Sequence, residues 1–198
     1  MKLYNTLTRQ IDELKPINPP CVTVYTCGLT VYDYPHIGNW FTFIRYDLLI
    51  RTLKEAGYNP KWVMNITDVG HLTSDRDEGE DKLYKKAKKE GKTAWDIADY
   101  YSRYLIDALN KLNFSEIYKM PKATDHINDQ INLIRKLEQK GFTYRISDGI
   151  YFKTALFPQY ADFALLDLDE QQSAPRIEKN EEKDRPEDFA LWKFSKKK

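Results

Sequence analysis

Cys21-Val22-Thr23-Val24-Tyr25-Thr26-Cys27 is the stretch on which the reading of the fold turns. It is rich in β-branched residues and follows the breaker Pro19-Pro20, so it reads as a strand buried on both faces. Gly28 and an irregular stretch to Gly38, interrupted by Pro35, come next. A helix is predicted from there: Asn39 is a candidate N-cap, Trp40, Ile44, Leu48 and Leu49 fall near helical spacing, and Gly57 closes it as a C′ residue. Lys61-Trp62-Val63-Met64-Asn65-Ile66-Thr67 is a second apolar run and a second strand. Strand, helix and strand in this order make a βαβ unit, which implies a parallel sheet with a right-handed crossover.

The character changes after Asp68. Residues 70–82 are polar and acidic and read as a surface loop. Two helices are predicted next, one from Asp81 to Glu90 and one capped by Thr93 and running to about Lys111. The second carries Ile97, Tyr101, Tyr104, Leu105 and Leu109 on one face. A third helix begins near Asp125 and ends at Gly141, with Ile127, Ile131, Ile134 and Leu137 as its stripe. Phe142 to Lys153 reads as a hairpin turning at Asp148-Gly149. Glu178 to Asp188 carries nine charged side chains and reads as a solvated loop. A short apolar run, Phe189 to Phe194, and three terminal lysines follow; the lysines read as a solvated terminus, not a phosphate site.

A single βαβ unit is not a finished sheet, because its strand edges need covering. The expected architecture is α/β: the first half of a doubly wound, Rossmann-like parallel sheet with an α+β insertion. The expected divisions are 1–68 for the half-domain, 69–188 for the insertion and 189–198 for the start of the return. Strand edges and apolar surface are expected to be bare near Val24, Val63 and Trp192, which would make the chain sticky.

Composition narrows the function. The 198 residues hold 31 Lys+Arg against 30 Asp+Glu, a net charge of +1, with 41% hydrophobic and 14% aromatic residues. Balanced charge excludes a strongly basic nucleic-acid binder, and the apolar content excludes a disordered chain. No apolar run approaches the roughly 20 residues of a membrane helix. The start lacks the apolar core of a signal peptide, and two cysteines make no disulfide scaffold. The expectation is a cytoplasmic protein.

Candidate chemistry gathers in three places. His36-Ile37-Gly38-Asn39 sits after a strand at a helix start, where backbone N–H groups and the helix dipole favour anions. Gly38 allows close approach, and His36 is either a structural histidine or a donor to phosphate oxygens. No dinucleotide or P-loop glycine pattern is present. Cys27 ends a strand, where side chains reach the ligand crevice of a parallel sheet. It is either a small buried side chain or a thiolate for zinc or nucleophilic chemistry. Cys21 lies at the far end of the same strand, and His71 and His126 lack partners at metal-type spacing, so no complete zinc set is visible. Thr67-Asp68 ends the second strand and either caps a turn or offers a hydroxyl to a substrate.

Together these segments are more specific than each alone. Tyr4-Asn5-Thr6-Leu7, Tyr25-Thr26-Cys27-Gly28-Leu29-Thr30-Val31-Tyr32-Asp33, His36-Ile37-Gly38-Asn39, Asn65-Ile66-Thr67-Asp68, Lys122-Ala123-Thr124-Asp125-His126-Ile127 and Phe189-Ala190-Leu191-Trp192-Lys193 occur in this order. The chain resembles the N-terminal part of the cysteine–tRNA ligase family, class I aminoacyl-tRNA synthetases. The resemblance implies ATP-dependent activation of L-cysteine, with Mg2+, and its transfer to tRNA(Cys). It implies that Cys27 is the first ligand of a zinc ion that binds the substrate thiolate, which favours sulfur over a hydroxyl. It implies that Cys27, Gly28, Thr30 and Thr67 surround the amino acid. Thr30, His36, Gly38 and Asn39 would bind ATP, with His36 and Asn39 as the catalytic pair. The inserted domain would help hold the tRNA acceptor end.

Two departures stand out. The last signature position is usually histidine and here is Asn39, whose amide donates a hydrogen bond but carries no charge. The family's other zinc ligands, its lysine-rich ATP loop and its anticodon-binding region have no counterpart in these residues, so the 198-residue chain alone is expected to be inactive. Three other readings stay open: a cysteine ligase to an amino sugar, as in mycothiol synthesis, a non-catalytic relic, and a small-molecule nucleotidyltransferase. The last is disfavoured by Thr26-Cys27-Gly28 and Asn65 to Asp68. The sequence leaves the oligomeric state undetermined.

Overall fold

The computed structural model describes residues 1–70, 82–160, 162–163 and 181–194. The expected acidic loop with His71, the charge run before Glu181 and the terminal lysines lie outside the described residues. The chain divides into two compact units, Met1–Lys2 with Glu13–Ile127, and Leu3–Asp12 with Asn128–Lys198. Strands β1 (Lys2–Asn5) and β2 (Gln10–Glu13) pair with each other near the start of the chain.

The first unit is built on the expected βαβ motif. β3 (Cys21–Thr26) and β4 (Asn59–Met64) run parallel, joined through α1 (Ile37–Glu55). Their register sets Cys21 opposite Asn59 and Thr26 opposite Met64. α1 stops because Gly57, at φ +84°, takes the left-handed turn that a side chain disfavours. The Tyr58 N–H then donates to the Leu53 carbonyl and the Gly57 N–H to that of Lys54, both at 3.0 Å.

α1 turns an unexpected face inward. Phe43, Ile50 and Leu53 are buried, whereas Ile44 and Leu48 are exposed. The expected start also shifts, since His36 and not Asn39 is the N-cap. β3 is covered on one face only: Thr23 and Tyr25 are exposed, while Val24 packs on the core. Its alternating β-branched residues form a period-two pattern, not a strand buried on both sides. Trp62 is fully buried, and its indole N–H donates to the Thr26 hydroxyl at 2.8 Å, so the ring hides its polar atom at no hydrogen-bond cost.

α2 (Lys82–Glu90) and α3 (Ala94–Lys111) share this core. Leu83, Ala87, Ile97, Tyr101, Leu105 and Leu109 join Val31, Phe43 and Trp62 in one apolar cluster. The Thr93 hydroxyl caps α3 as expected, accepting the Asp96 N–H at 3.1 Å. The outer edge of β4, expected bare at Val63, is paired. Met64 N–H donates to the Lys119 carbonyl at 3.0 Å and Ile66 N–H to that of Pro121 at 2.8 Å.

The second unit contains α4 beyond its first residue (α4 is Ile127–Gln139) and an antiparallel sheet in the order β5 (Thr143–Ile146), β6 (Gly149–Phe152), β7 (Phe189–Lys193). The hairpin is present, but its link is Ser147-Asp148 and Gly149 is already paired with Ile146. Glycine is needed there because a Cβ would lie 2.4 Å from the Trp192 carbonyl oxygen. Phe189–Lys193 is the third strand here, with Phe189 opposite Phe152 and Trp192 half-buried. Buried Asp188 locks this unit. It accepts from the Tyr144 hydroxyl at 2.9 Å and from the N–H and hydroxyl of Thr154 at 2.9 and 2.7 Å.

Candidate functional site

The loops leaving β3 and β4 are stitched together at the C-terminal ends of the strands. Thr30 and Thr67 form a parallel bridge, with Val31 N–H donating to the Thr67 carbonyl and Thr67 N–H to that of Leu29, both at 3.1 Å. Gly28 sits against the other loop so closely that a Cβ would fall 1.6 Å from the Asn65 carbonyl oxygen. No other residue fits there without moving the backbone.

Asn65 organises this end, a role the sequence reading missed. Its Oδ1 accepts the Gly28 N–H at 2.9 Å and the Tyr25 hydroxyl at 3.1 Å, and its Nδ2 donates to the Thr67 hydroxyl at 3.1 Å. One amide thus sets the positions of Gly28 and Thr67. The only hint in the sequence was an amide side chain directly after a strand, a common turn residue. Cys27 follows β3 with its side chain exposed. Tyr46 of α1 lies near it: burial, and then the nearness of Cys27, push the Tyr46 phenol above its ordinary pKa of 10.0.

Asp68 belongs to a different job. It is buried, accepting the Thr124 N–H at 3.0 Å and the Thr124 hydroxyl at 2.6 Å. It anchors the 3-10 turn Thr124–His126, so the motifs Asn65–Asp68 and Lys122–Ile127 meet in space.

His36, Gly38 and Asn39 form a second cluster at the start of α1. The His36 Nδ1 accepts the N–H groups of Gly38 at 3.1 Å and Asn39 at 3.3 Å, while the Asn39 Oδ1 accepts the His36 N–H at 3.0 Å. This is a capping box with an imidazole in place of the usual hydroxyl. Accepting at Nδ1 puts the ring proton on Nε2, which becomes the donor available to a ligand. The N–H groups of Gly38 and Asn39, expected to face an anion, are taken by the imidazole itself. The ring nitrogen left free by this cap is His36 Nε2.

The loop before His36 is fastened to the helices. Tyr34 lies edge-on to Tyr101 and Tyr104 of α3, with ring centroids 5.0 and 4.7 Å apart, and its hydroxyl is 2.8 Å from that of Tyr100. Asp33 pairs with Lys86 of α2 at 3.3 Å.

The zinc expectation meets a limit. Cys27 offers one thiol, and among the described residues no group of three or more His, Cys, Asp or Glu side chains gathers to hold a metal. Among those residues, no helix is long and apolar enough to cross a membrane.

A family model, tRNA synthetases class I (C) catalytic domain, matches residues 13–198. The chain belongs to this family. It is similar to a cysteine–tRNA ligase of Treponema denticola, 43% identical over 198 residues, covering 100% of this chain and 40% of that one. It is similar to the cysteine–tRNA ligase of Borreliella burgdorferi, 42% identical over 193 residues, covering 97% of this chain and 40% of the relative. A cysteine–tRNA ligase of Pyrococcus furiosus is 39% identical over 196 residues, covering 99% and 39%. The chain thus spans about 40% of the length of these curated relatives.

Proposed function

We propose that these residues form part of a site that activates L-cysteine with ATP and passes it to tRNA(Cys), in a cytoplasmic protein. One observation supports this above the others. Cys27, Gly28, Thr30 and Thr67 gather where parallel strands end, the usual ligand crevice of an open α/β sheet. The 43% identity to a cysteine–tRNA ligase holds over the whole chain, the stretch that carries these residues included.

In the proposed reaction the cysteine carboxylate oxygen attacks the α-phosphorus of Mg2+-bound ATP. The bond to pyrophosphate breaks, giving cysteinyl-adenylate. A hydroxyl of the tRNA end then attacks the acyl carbon and AMP leaves. Thr30 and Thr67 orient the amino acid, and Gly28, packed against the Asn65 carbonyl, lets the two loops close beside it. His36 donates its Nε2–H to phosphate oxygens as charge builds in the transition state. Asn39 acts by holding the His36 backbone, and so replaces the usual histidine in position but not in charge. Catalysis rests on positioning and charge stabilisation. Cys27 is one candidate zinc donor of the about four that a site needs. The described residues do not complete that set. Residues 69–188 would serve as the connective insertion toward the tRNA acceptor end, between the half-domain 1–68 and the return at 189–198.

The test is cysteine-dependent exchange of pyrophosphate into ATP by the native protein that carries these residues. Cysteine should support exchange and serine should not. Removing the ring in His36→Ala should lower kcat on the order of 10²–10³-fold, the scale of losing one transition-state donor. Exchange driven equally by serine, or untouched by His36→Ala, would overturn the reading.

A further inference from the structure

Two residues ahead of His36 the chain rests on a helix that lies more than sixty positions further along the sequence. Tyr101, the ring that Tyr34 meets at 5.0 Å, is 4% exposed and part of the core. Tyr104 holds the same tyrosine from the next turn at 4.7 Å, and the Tyr100 hydroxyl meets the Tyr34 hydroxyl at 2.8 Å. Tyr34 thus sits in a seat of three rings whose deepest member cannot shift without the helix. Pro35, the single link between Tyr34 and His36, has its φ fixed near −65° by its ring. That removes one backbone torsion between the seat and the imidazole, and the His36 N–H, held on Asn39 Oδ1 at 3.0 Å, restrains the next.

We propose that Tyr34 is a positioning residue for His36: its seat on α3 fixes the origin and direction of the imidazole that caps α1. The contribution to catalysis rests on the function proposed above; the contribution to the ring's geometry does not. The helices expected to belong to a separate insertion thereby reach the loop that carries the phosphate donor.

Two measurements test this separately. The first is the nitrogen–proton correlation spectrum of the histidine rings in the 198-residue chain, with His36 assigned from its loss in His36→Gln. The wild type should show a fixed Nε2–H tautomer at His36. Tyr34→Phe, which keeps the ring, should preserve it, and Tyr34→Ala should give averaged nitrogen signals. The second is cysteine-dependent exchange by the native protein. Tyr34→Ala should lower kcat on the order of 10- to 100-fold, the scale of a small misplacement. The KM for cysteine should stay unchanged and Tyr34→Phe should restore the rate. A role in folding alone would lower the thermal midpoint without moving the tautomer or splitting kcat from KM. An unaltered His36 spectrum in Tyr34→Ala overturns the proposal. If the wild type shows no cysteine-dependent exchange, the functional reading fails and the spectrum alone decides the role of Tyr34. Should Tyr34→Ala not fold, Tyr104→Ala removes part of the seat from the other side and is read by the same spectrum.

Discussion

The imidazole of His36 folds back over Gly38, with Nδ1 accepting the Gly38 N–H at 3.1 Å and Cε1 lying 2.9 Å from where a Cβ of residue 38 would be. Glycine here makes room for a histidine cap, not for a ligand alone. Gly38→Ala should push the ring aside, because the ring is the movable partner and the helix backbone is not. The expected cost is that of a lost N-cap, about 0.5–2 kcal/mol, partly offset by the better helix propensity of alanine. The exchange rate of the native protein should fall far more than stability does, since Nε2 moves with the ring. Equal exchange rates for Gly38→Ala and wild type, measured at saturating ATP, would show that the cap does not aim the donor.

The Asp68–Thr124 pair makes a contrasting case, structural despite its place in a motif. Both carboxylate oxygens are used, at 3.0 and 2.6 Å, and the side chain is buried. Asp68→Ala should destabilise the first unit by about 1–3 kcal/mol, because a buried N–H and hydroxyl lose their acceptor. Thr124→Val should cost less, and the double variant should cost less than the sum, since the two share one interaction. Urea unfolding of the four proteins closes the cycle; strict additivity would mean that the hydroxyl–carboxylate bond carries no coupling energy.

What the sequence revealed follows from how local each signal is. The βαβ order, the Gly57 stop and the Thr93 cap were legible because turn chemistry and capping depend on a few adjacent residues. The inward face of α1 was misread because Phe43 and Ile44 are equally apolar, and only the position of Trp62 and the α3 helix decides which one is buried. Asn65 and Tyr34 were missed for the same reason: their partners, Gly28 and the α3 tyrosines, are brought to them by the fold. The bare edge expected at Val63 failed because residues 117–123 return to pair with β4, a pairing with no local mark.

Stickiness is still expected, at a different place. Ile37, Phe41, Ile44 and Leu48 are all exposed on α1 at intervals of four, three and four residues, which lines them on one face. Only the Arg45 guanidinium, 5.0 Å from the Phe41 ring centroid, offers partial cover among the described contacts. A continuous apolar stripe of this kind attracts hydrophobic dyes and other surfaces. The 198-residue chain should enhance ANS fluorescence and associate with rising concentration. Ile44→Lys with Leu48→Lys should reduce both without loss of thermal stability. Unchanged dye binding in that double variant would place the sticky surface elsewhere.

Acid sensitivity should centre on Asp47. Burial alone would raise its pKa. Bonds from Arg51 Nε and the Ser115 N–H, both at 2.7 Å, outweigh that and hold it below the ordinary 3.8. A carboxylate depressed in the folded state contributes stability that is complete above 3.8. That contribution is lost as pH falls through the lower folded value. At neutral pH Asp47→Ala should cost about 1–3 kcal/mol, since the Ser115 N–H loses its acceptor and the tie from α1 to Ser115 is cut. The gap between wild type and Asp47→Ala should stay constant down to pH near 4 and then narrow, because the protonated wild type has lost the same contribution. Denaturant midpoints for both proteins between pH 7 and pH 3 give the comparison, and a gap that widens on acidification would reverse the sign assigned to Asp47.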